Sequence, residues 1–295
     1  MIAKSADAFE VVDAHHHLWS LSAVSYPWLM ASGVRRFFGD PEPIQRDYLL
    51  SDFRADHGTA DVTASVHIQV GAADPLAETR WLAAHAQEAR WPMAIVAAAD
   101  LTAPDLESNL DALTDAAEGR LRGIRQIVAR HPSEDGPTPG ALLGDRAFAR
   151  GLEALARRSL SFDLQLTAPL LRRAAILFSA IPGLRTALCH CGSPWSRSTA
   201  AMVEWEQGLA AFAEVPGAVA KISGLGMLRP GSSAARLIAT MQRHFPADRL
   251  MWGSNVPVDA LARPWRTLLD EATSRIPPQS RQSIFADTAR RFYRP

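Results

Sequence analysis

A chain of 295 residues, 47% hydrophobic and 21% charged, can bury a large core, and its 31 basic residues balance 31 acidic ones. That neutrality excludes a whole-chain field for nucleic acid or an anionic membrane. No run reaches the ~18 apolar residues of a membrane span, residues 1–10 lack the apolar stretch of a signal peptide, and two cysteines exclude a disulfide framework and suit the cytoplasm.

Short β-branched or apolar runs alternate with longer segments of helical spacing. The predicted strands are Val11–His15, Thr63–Val70, Ala94–Asp100, Leu121–Ile127, Leu160–Leu166, Leu184–His190, Ala218–Ser223 and Arg249–Ser254. Several of the intervening helices carry start signals. Asp74-Pro75 reads as N-cap and first helical residue. Thr102-x-x-Asp105 resembles a capping box, with Asp for Glu, ahead of Leu106, Leu110 and Leu113. Asp145 precedes Phe148, Leu152 and Leu155, and Ala234, Ile238, Met241 and Phe245 repeat the spacing. A last helix near 279–292 places Ile284, Thr288 and Phe292 on one stripe.

Eight such pairs predict an α/β fold: a (β/α)8 barrel forming one domain over residues 1–295. The alternative, a doubly wound open sheet, lacks a G-x-G-x-x-G after the first strand. Helix-to-strand connections are short, as at Arg90–Met93. Several strand-to-helix connections are long: Leu18–His57, Val128–Gly144, Cys191–Ser198 and Gly224–Ser232. Elaborated loops at the C-terminal ends of strands are where barrels build sites.

Polar residues gather at that same end. In Val11-Val12-Asp13-Ala14-His15-His16-His17, strand alternation puts His15 and His17 on one face and His16 on the other, with Asp13 on the parity of the pair and able to orient it. Two imidazoles at this spacing converge on a metal ion or a substrate oxygen. His190, ending an apolar strand, is the third candidate. Arg125 is a barrel-wall guanidinium that needs an anion: a substrate carboxylate, or Asp163 on the next strand. Lys221 has the same two readings. Gln69 and Gln165 are further polar groups facing substrate, and Trp28 of Tyr26-Pro27-Trp28 is a candidate wall. His131 follows strand four and could reach the pocket. Arg35 and Arg36 read as solvated, although either could reach an anionic ligand. Cys189 and Cys191 read as small packing residues, and His57, His85 and His244 as structural or solvated.

Asp13-Ala14-His15-His16-His17-Leu18-Trp19 with Tyr26-Pro27-Trp28-Leu29 resembles the amidohydrolase-related family of TIM-barrel hydrolases, in the branch of sugar-acid lactonases and 2-pyrone-4,6-dicarboxylate lactonase. Glu78-Thr79-Arg80-Trp81-Leu82, Leu121-Arg122-Gly123-Ile124-Arg125-Gln126, Lys221-Ile222-Ser223-Gly224-Leu225, Met251-Trp252-Gly253-Ser254-Asn255-Val256-Pro257-Val258-Asp259 and Thr288-Ala289-Arg290-Arg291-Phe292-Tyr293 extend the likeness across nearly the whole chain. The resemblance implies a lactonase in which His15, His17 and His190 bind a divalent metal, zinc in most relatives, and Arg125 binds a substrate anion. It also implies a strand-eight aspartate as base or ligand. Here that residue is Asn255, which serves poorly in both roles. The departure leaves metal-independent activity open and makes Asp259, four residues on, the expected base, with His190 and Asn255 as the other catalytic candidates. The expected partner is an anionic small molecule, without nucleic acid or membrane; a homo-oligomer is compatible with the sequence. The competing functions are a non-hydrolytic decarboxylase or hydratase on the same barrel, and a non-catalytic small-molecule binder.

Overall fold

The computed structural model describes residues 9–89, 91–134, 136, 138–228 and 234–293. Parts of the Arg90–Met93, Val128–Gly144 and Gly224–Ser232 connections fall outside these residues. Eight parallel strands pair in chain order: β1 Val11–His16, β2 Val62–Ile68, β3 Ala94–Ala97, β4 Leu121–Ile124, β5 Ser161–Leu164, β6 Arg185–Leu188, β7 Ala218–Ile222 and β8 Leu250–Trp252. The helices are α1 Pro27–Met30, α2 Leu50–His57, α3 Pro75–Ala89, α4 Leu106–Ala116, α5 Arg146–Arg157, α6 Leu171–Ser179, α7 Thr199–Ala213, α8 Ala234–His244, α9 Trp265–Thr273, α10 Pro278–Gln282 and α11 Thr288–Tyr293. This is the expected (β/α)8 barrel. Among the described residues no helix is long and apolar enough to cross a membrane.

The barrel closes between β8 and β1 without a ladder in the strands themselves. Just past β8, Asn255 N donates to His15 O (2.7 Å) and His17 N donates to Val256 O (2.9 Å). Gly253 belongs at this seam because a Cβ there would sit 2.7 Å from His15 N. Inside the barrel Val12, Ala14, Val66, Val96, Ala187, Val219 and Met251 form one apolar cluster with Phe292 and Tyr293 of the C-terminal helix. A second, larger core lies between strands and helices, where Phe148, Leu152 and Leu155 of α5 turn inward as their spacing predicts.

Two N-caps are as expected: Asp74 accepts from Leu76 N and Ala77 N (2.8 and 3.1 Å), and Asp145 accepts from Ala147 N (2.7 Å). The capping box at Thr102 does not form. Its hydroxyl and amide both bond Asp100, and Asp105 becomes the N-cap without a side-chain cap bond. Several strands stop short of their apolar runs. Residues such as Arg125 and Gln165 lie just past the strands, where Arg125 N still bonds Ala97 O (2.8 Å) and Val128 N bonds Gln165 O (3.0 Å) at the mouth of the barrel.

Candidate active site

The β1 histidines are placed by a defect in the strand. The register against β2 slips by one residue between Asp13 and His16, and such an extra residue reverses the alternation of faces. Val12 and Ala14 therefore point into the barrel, as do His15 and His17 after the slip. Asp13 points outward, against the expectation that it orients the pair: its oxygens accept from Ser254 N and Trp265 Nε1 (both 2.9 Å) and lock the seam. His16 also points outward, stacked on Phe53 and 2.9 Å from Ser65 Oγ.

His15, His17 and His190 come together, with ring centroids 4.5 Å apart for His15–His190 and 5.2 Å for His15–His17. His190 follows β6 in a left-handed turn, His190 and Cys191 both at φ +53°. Non-glycine residues hold such angles at a cost that the surrounding structure must offset. Gly224 makes room for the ring, since a Cβ there would lie 2.9 Å from His190 Nδ1. All three imidazoles are buried and held neutral. Burial lowers His15 well below the usual value, with His190 and Lys221 adding to it; burial and then Arg125 do the same to His190, and push His17 down to about 3.

The partner of His17 fixes its tautomer, and that of His190 admits the opposite one. His17 Nδ1 lies 2.8 Å from Ile68 O, which can only accept, so Nδ1 carries the proton and Nε2 is a bare acceptor. Ser223 Oγ already accepts from His190 N (3.2 Å) and lies 3.1 Å from His190 Nδ1. When its hydroxyl donates to that nitrogen, Nε2 carries the proton. His15 lies behind both, and neither of its ring nitrogens has a hydrogen-bond partner.

The cavity, about 730 Å³, opens at the C-terminal mouth over His17, His190, Asn255, Arg125, Gln165 and Trp28. Arg125 is 5% exposed. Its Nη1 donates to Gln165 Oε1 (3.0 Å) and its Nη2 to Gln69 O, while Nε has no partner. Asp163, the alternative anion for Arg125, pairs instead with Lys221 (2.5 Å) inside the barrel, where Lys221 also donates to Ala14 O and Tyr293 OH donates to Asp163. Lys221 does not line the cavity, which corrects its expected role in substrate binding. Gln69 is corrected likewise: its side chain bonds Gly71 N and Arg125 O and braces the arginine from behind.

Asp259 is also turned away from the cavity. Fully buried, it accepts from Gly226 N (2.8 Å), Met227 N (3.2 Å) and Asn255 Nδ2 (2.7 Å), and burial raises it to about 7. Its expected role as the base that meets water gives way to that of a support, which holds the Asn255 side-chain amide 3.1 Å from His17 Nε2. Of the residues read as solvated, Arg36 lines the rim and pairs with Glu134 (2.6 Å), and exposed Arg35 lines it too. His131 stacks on Phe37 outside the cavity lining. Cys189 and Cys191 are buried and pushed up to about 12 by burial, consistent with packing.

Glu78 was missed as a site residue. It is 1% exposed and accepts from Val70 N at the end of β2. The signal was present: Glu78, Leu82 and Ala86 recur at i, i+4, i+8, which puts an acid on the buried stripe of α3.

A family model described as Amidohydrolase matches residues 12–294. The chain belongs to the amidohydrolase family. Within it the chain is lactonase-like: it is 28% identical over 302 residues to an L-fucono-1,5-lactonase of Burkholderia multivorans, covering 96% of this chain and 95% of that protein. It is 32% identical over 300 residues to an uncharacterised protein of Sinorhizobium fredii, covering 96% of this chain and 98% of the relative. The crystal structure of an amidohydrolase from B. multivorans with bound zinc superposes with a TM-score of 0.78 at 25% identity, covering 97% of this chain and 99% of the other. The protein is thus a hydrolase-type enzyme on a TIM barrel.

Proposed function

We propose that this amidohydrolase opens a lactone that carries a carboxylate or sugar-acid group. The observation that carries the reading is Arg125. It is a buried guanidinium facing the cavity, bonded among the described residues only to neutral oxygens, with its Nε–H unmet. Among the described residues no acid forms an ion pair with it, and a buried unpaired cation is costly unless a ligand supplies the anion.

The groups around it suit water attack on a carbonyl. The Asn255 side-chain amide lies 3.1 Å from His17 Nε2, and a water entering the cavity beside them can donate a hydrogen to the imidazole and turn its lone pair toward the substrate. As the carbon–oxygen bond forms, His17 takes the water proton and His190 Nε2–H stabilises the developing oxyanion. Collapse breaks the ring ester bond. The alkoxide leaves with the proton from His17, giving a hydroxy acid. Arg125 is one of the groups that depress His17. A carboxylate bound there cancels part of that field, so anion binding strengthens the base.

Zinc in the Burkholderia structure raises the question of a metal on His15, His17 and His190. The two unmet nitrogens of His15 are a favourable sign. The donor set as a whole does not fit. Among the described residues no three of His, Cys, Asp or Glu are grouped so as to hold an ion, the residue beside His17 is an amide, and Arg125 opposes a second cation close by.

The test is Arg125→Met, assayed on a six-membered lactone bearing a ring carboxylate and on its methyl ester. Losing a buried charge contact of about 3 kcal/mol lowers kcat/KM on the acid roughly 150-fold, while the ester changes by less than about threefold. Equal losses on both lactones contradict the assignment.

A further inference from the structure

Three consecutive carbonyls at the end of β2 each hold a different cavity-lining side chain. Ile68 O accepts from His17 Nδ1 (2.8 Å), Gln69 O from Arg125 Nη2, and Val70 O from Trp28 Nε1 (2.5 Å). The water-binding imidazole, the anion-binding guanidinium and the indole wall thus hang from one stretch of backbone. That backbone is fixed in turn from behind. Gln69 N donates to Val96 O (2.8 Å), Gly71 N to Gln69 Oε1 (2.6 Å), and Val70 N to Glu78 Oε1 (3.2 Å). Glu78 comes from α3 and does not line the cavity. It also lies 3.9 Å from His67 Nε2 and beside the Tyr26 phenol, which it and burial hold un-ionised, so it reaches the Tyr26–Trp28 segment as well.

We propose that Glu78 is a positioning residue, which sets the Ile68–Val70 carbonyls and through them the relative placement of His17, Arg125 and Trp28. This rests on the lactonase reading for its kinetic test but not for its structural one. A carbonyl acceptor is what the position requires, because the group it receives is a backbone N–H. Glutamine keeps that acceptor. Aspartate withdraws it by one methylene, and alanine removes it.

The readout is the ratio of kcat/KM on the carboxylate-bearing lactone to that on its methyl ester. The ratio is independent of how much enzyme is folded, so a general loss of stability leaves it unmoved, whereas a shift of Arg125 relative to His17 lowers it. The expected result is a fall of tenfold or more in Glu78→Ala and Glu78→Asp, and a ratio within threefold of wild type in Glu78→Gln. Glu78→Asp carries the test if the alanine variant does not fold. A ratio unchanged in Glu78→Asp, or lost in Glu78→Gln as fully as in Glu78→Ala, overturns the proposal. If wild type hydrolyses neither lactone, the lactonase reading fails by itself. Hydrogen exchange at the Val70 amide then decides the matter: faster exchange in Glu78→Asp at equal global stability supports the anchor, and unchanged exchange refutes it.

Discussion

Asp163→Ala offers a direct measure of what the barrel interior contains. Lys221 and Asp163 are both fully buried, and the ammonium bonds the carboxylate at 2.5 Å and Ala14 O at 2.9 Å and lies 5.2 Å from the centre of the Tyr293 ring. Removing Asp163 strands a charge in the low-dielectric interior and deprives Tyr293 OH of its acceptor. Breaking a buried pair costs ~3–5 kcal/mol, and the orphaned hydroxyl adds about 1 kcal/mol. Against a typical total of ~5–15 kcal/mol, that is a large fraction. At ~2–4 °C per kcal/mol in chains of this order of size, it lowers Tm by roughly 10–20 °C. The double variant Asp163→Ala/Lys221→Met removes the stranded charge with a side chain of similar length, and is expected to recover most of the loss, because well-packed apolar replacements of buried pairs are near neutral. Urea unfolding followed by circular dichroism measures both. The double variant should keep kcat/KM on the carboxylated lactone within about threefold, since Lys221 does not line the cavity. The reasoning is refuted if the double variant is as unstable as the single, or if it folds normally and loses selectivity for the acid.

Other consequences follow from the seam and from Asp259. Asp259 accepts from Asn255 Nδ2 most strongly as the carboxylate, and it is raised to about 7. The pH profile of kcat/KM should therefore fall on the acid side with an inflection near 7, and Asn255→Ala should abolish that inflection. Stability moves the other way. A carboxyl raised from 3.8 to about 7 contributes stability that is fully present below 3.8 and lost as pH rises through 7; urea titrations across that window read the sign. Gly253→Ala puts a Cβ 2.5 Å from the His15 Cβ. Displacing the seam should cost at least tenfold in kcat/KM, measured on the fraction of enzyme that remains folded. Dialysis against a chelator should leave the lactonase rate within about twofold, as the amide at 255 and the cation at 125 imply; loss of rate restored by zinc would contradict that.

Much of the barrel was legible because its signals are local. Strand and helix periods differ, caps such as Asp74 lie next to the helices they start, and long loops cluster at one end. Arg125 and His190 were legible for a related reason: a charged or polar residue closing an apolar run has few structural explanations. What escaped depends on geometry across the barrel or on single residues of register. Asp13 was assigned to the face of His15 and His17 because alternation was taken as unbroken, and the slip in β1 reversed it. Lys221 carried the reading of an ion pair with Asp163 beside that of a substrate contact, and with 58 residues between them nothing local chose the pair. Asp259 reads as a loop acid, yet Asn255 at φ +58° turns the chain so that Asp259 lies behind it. The carbonyls of residues 68–70 have no side-chain signature at all.

The most direct test of the central claim is the fate of solvent oxygen. Purified enzyme should be incubated with a panel of carboxylated and sugar-acid lactones in heavy-oxygen water, and the products read by mass spectrometry. Water attack at His17 and Asn255 predicts a ring-opened hydroxy acid carrying one solvent oxygen in its new carboxylate. Release of carbon dioxide from an unopened ring, or saturable ligand binding with no turnover across the panel, would contradict it.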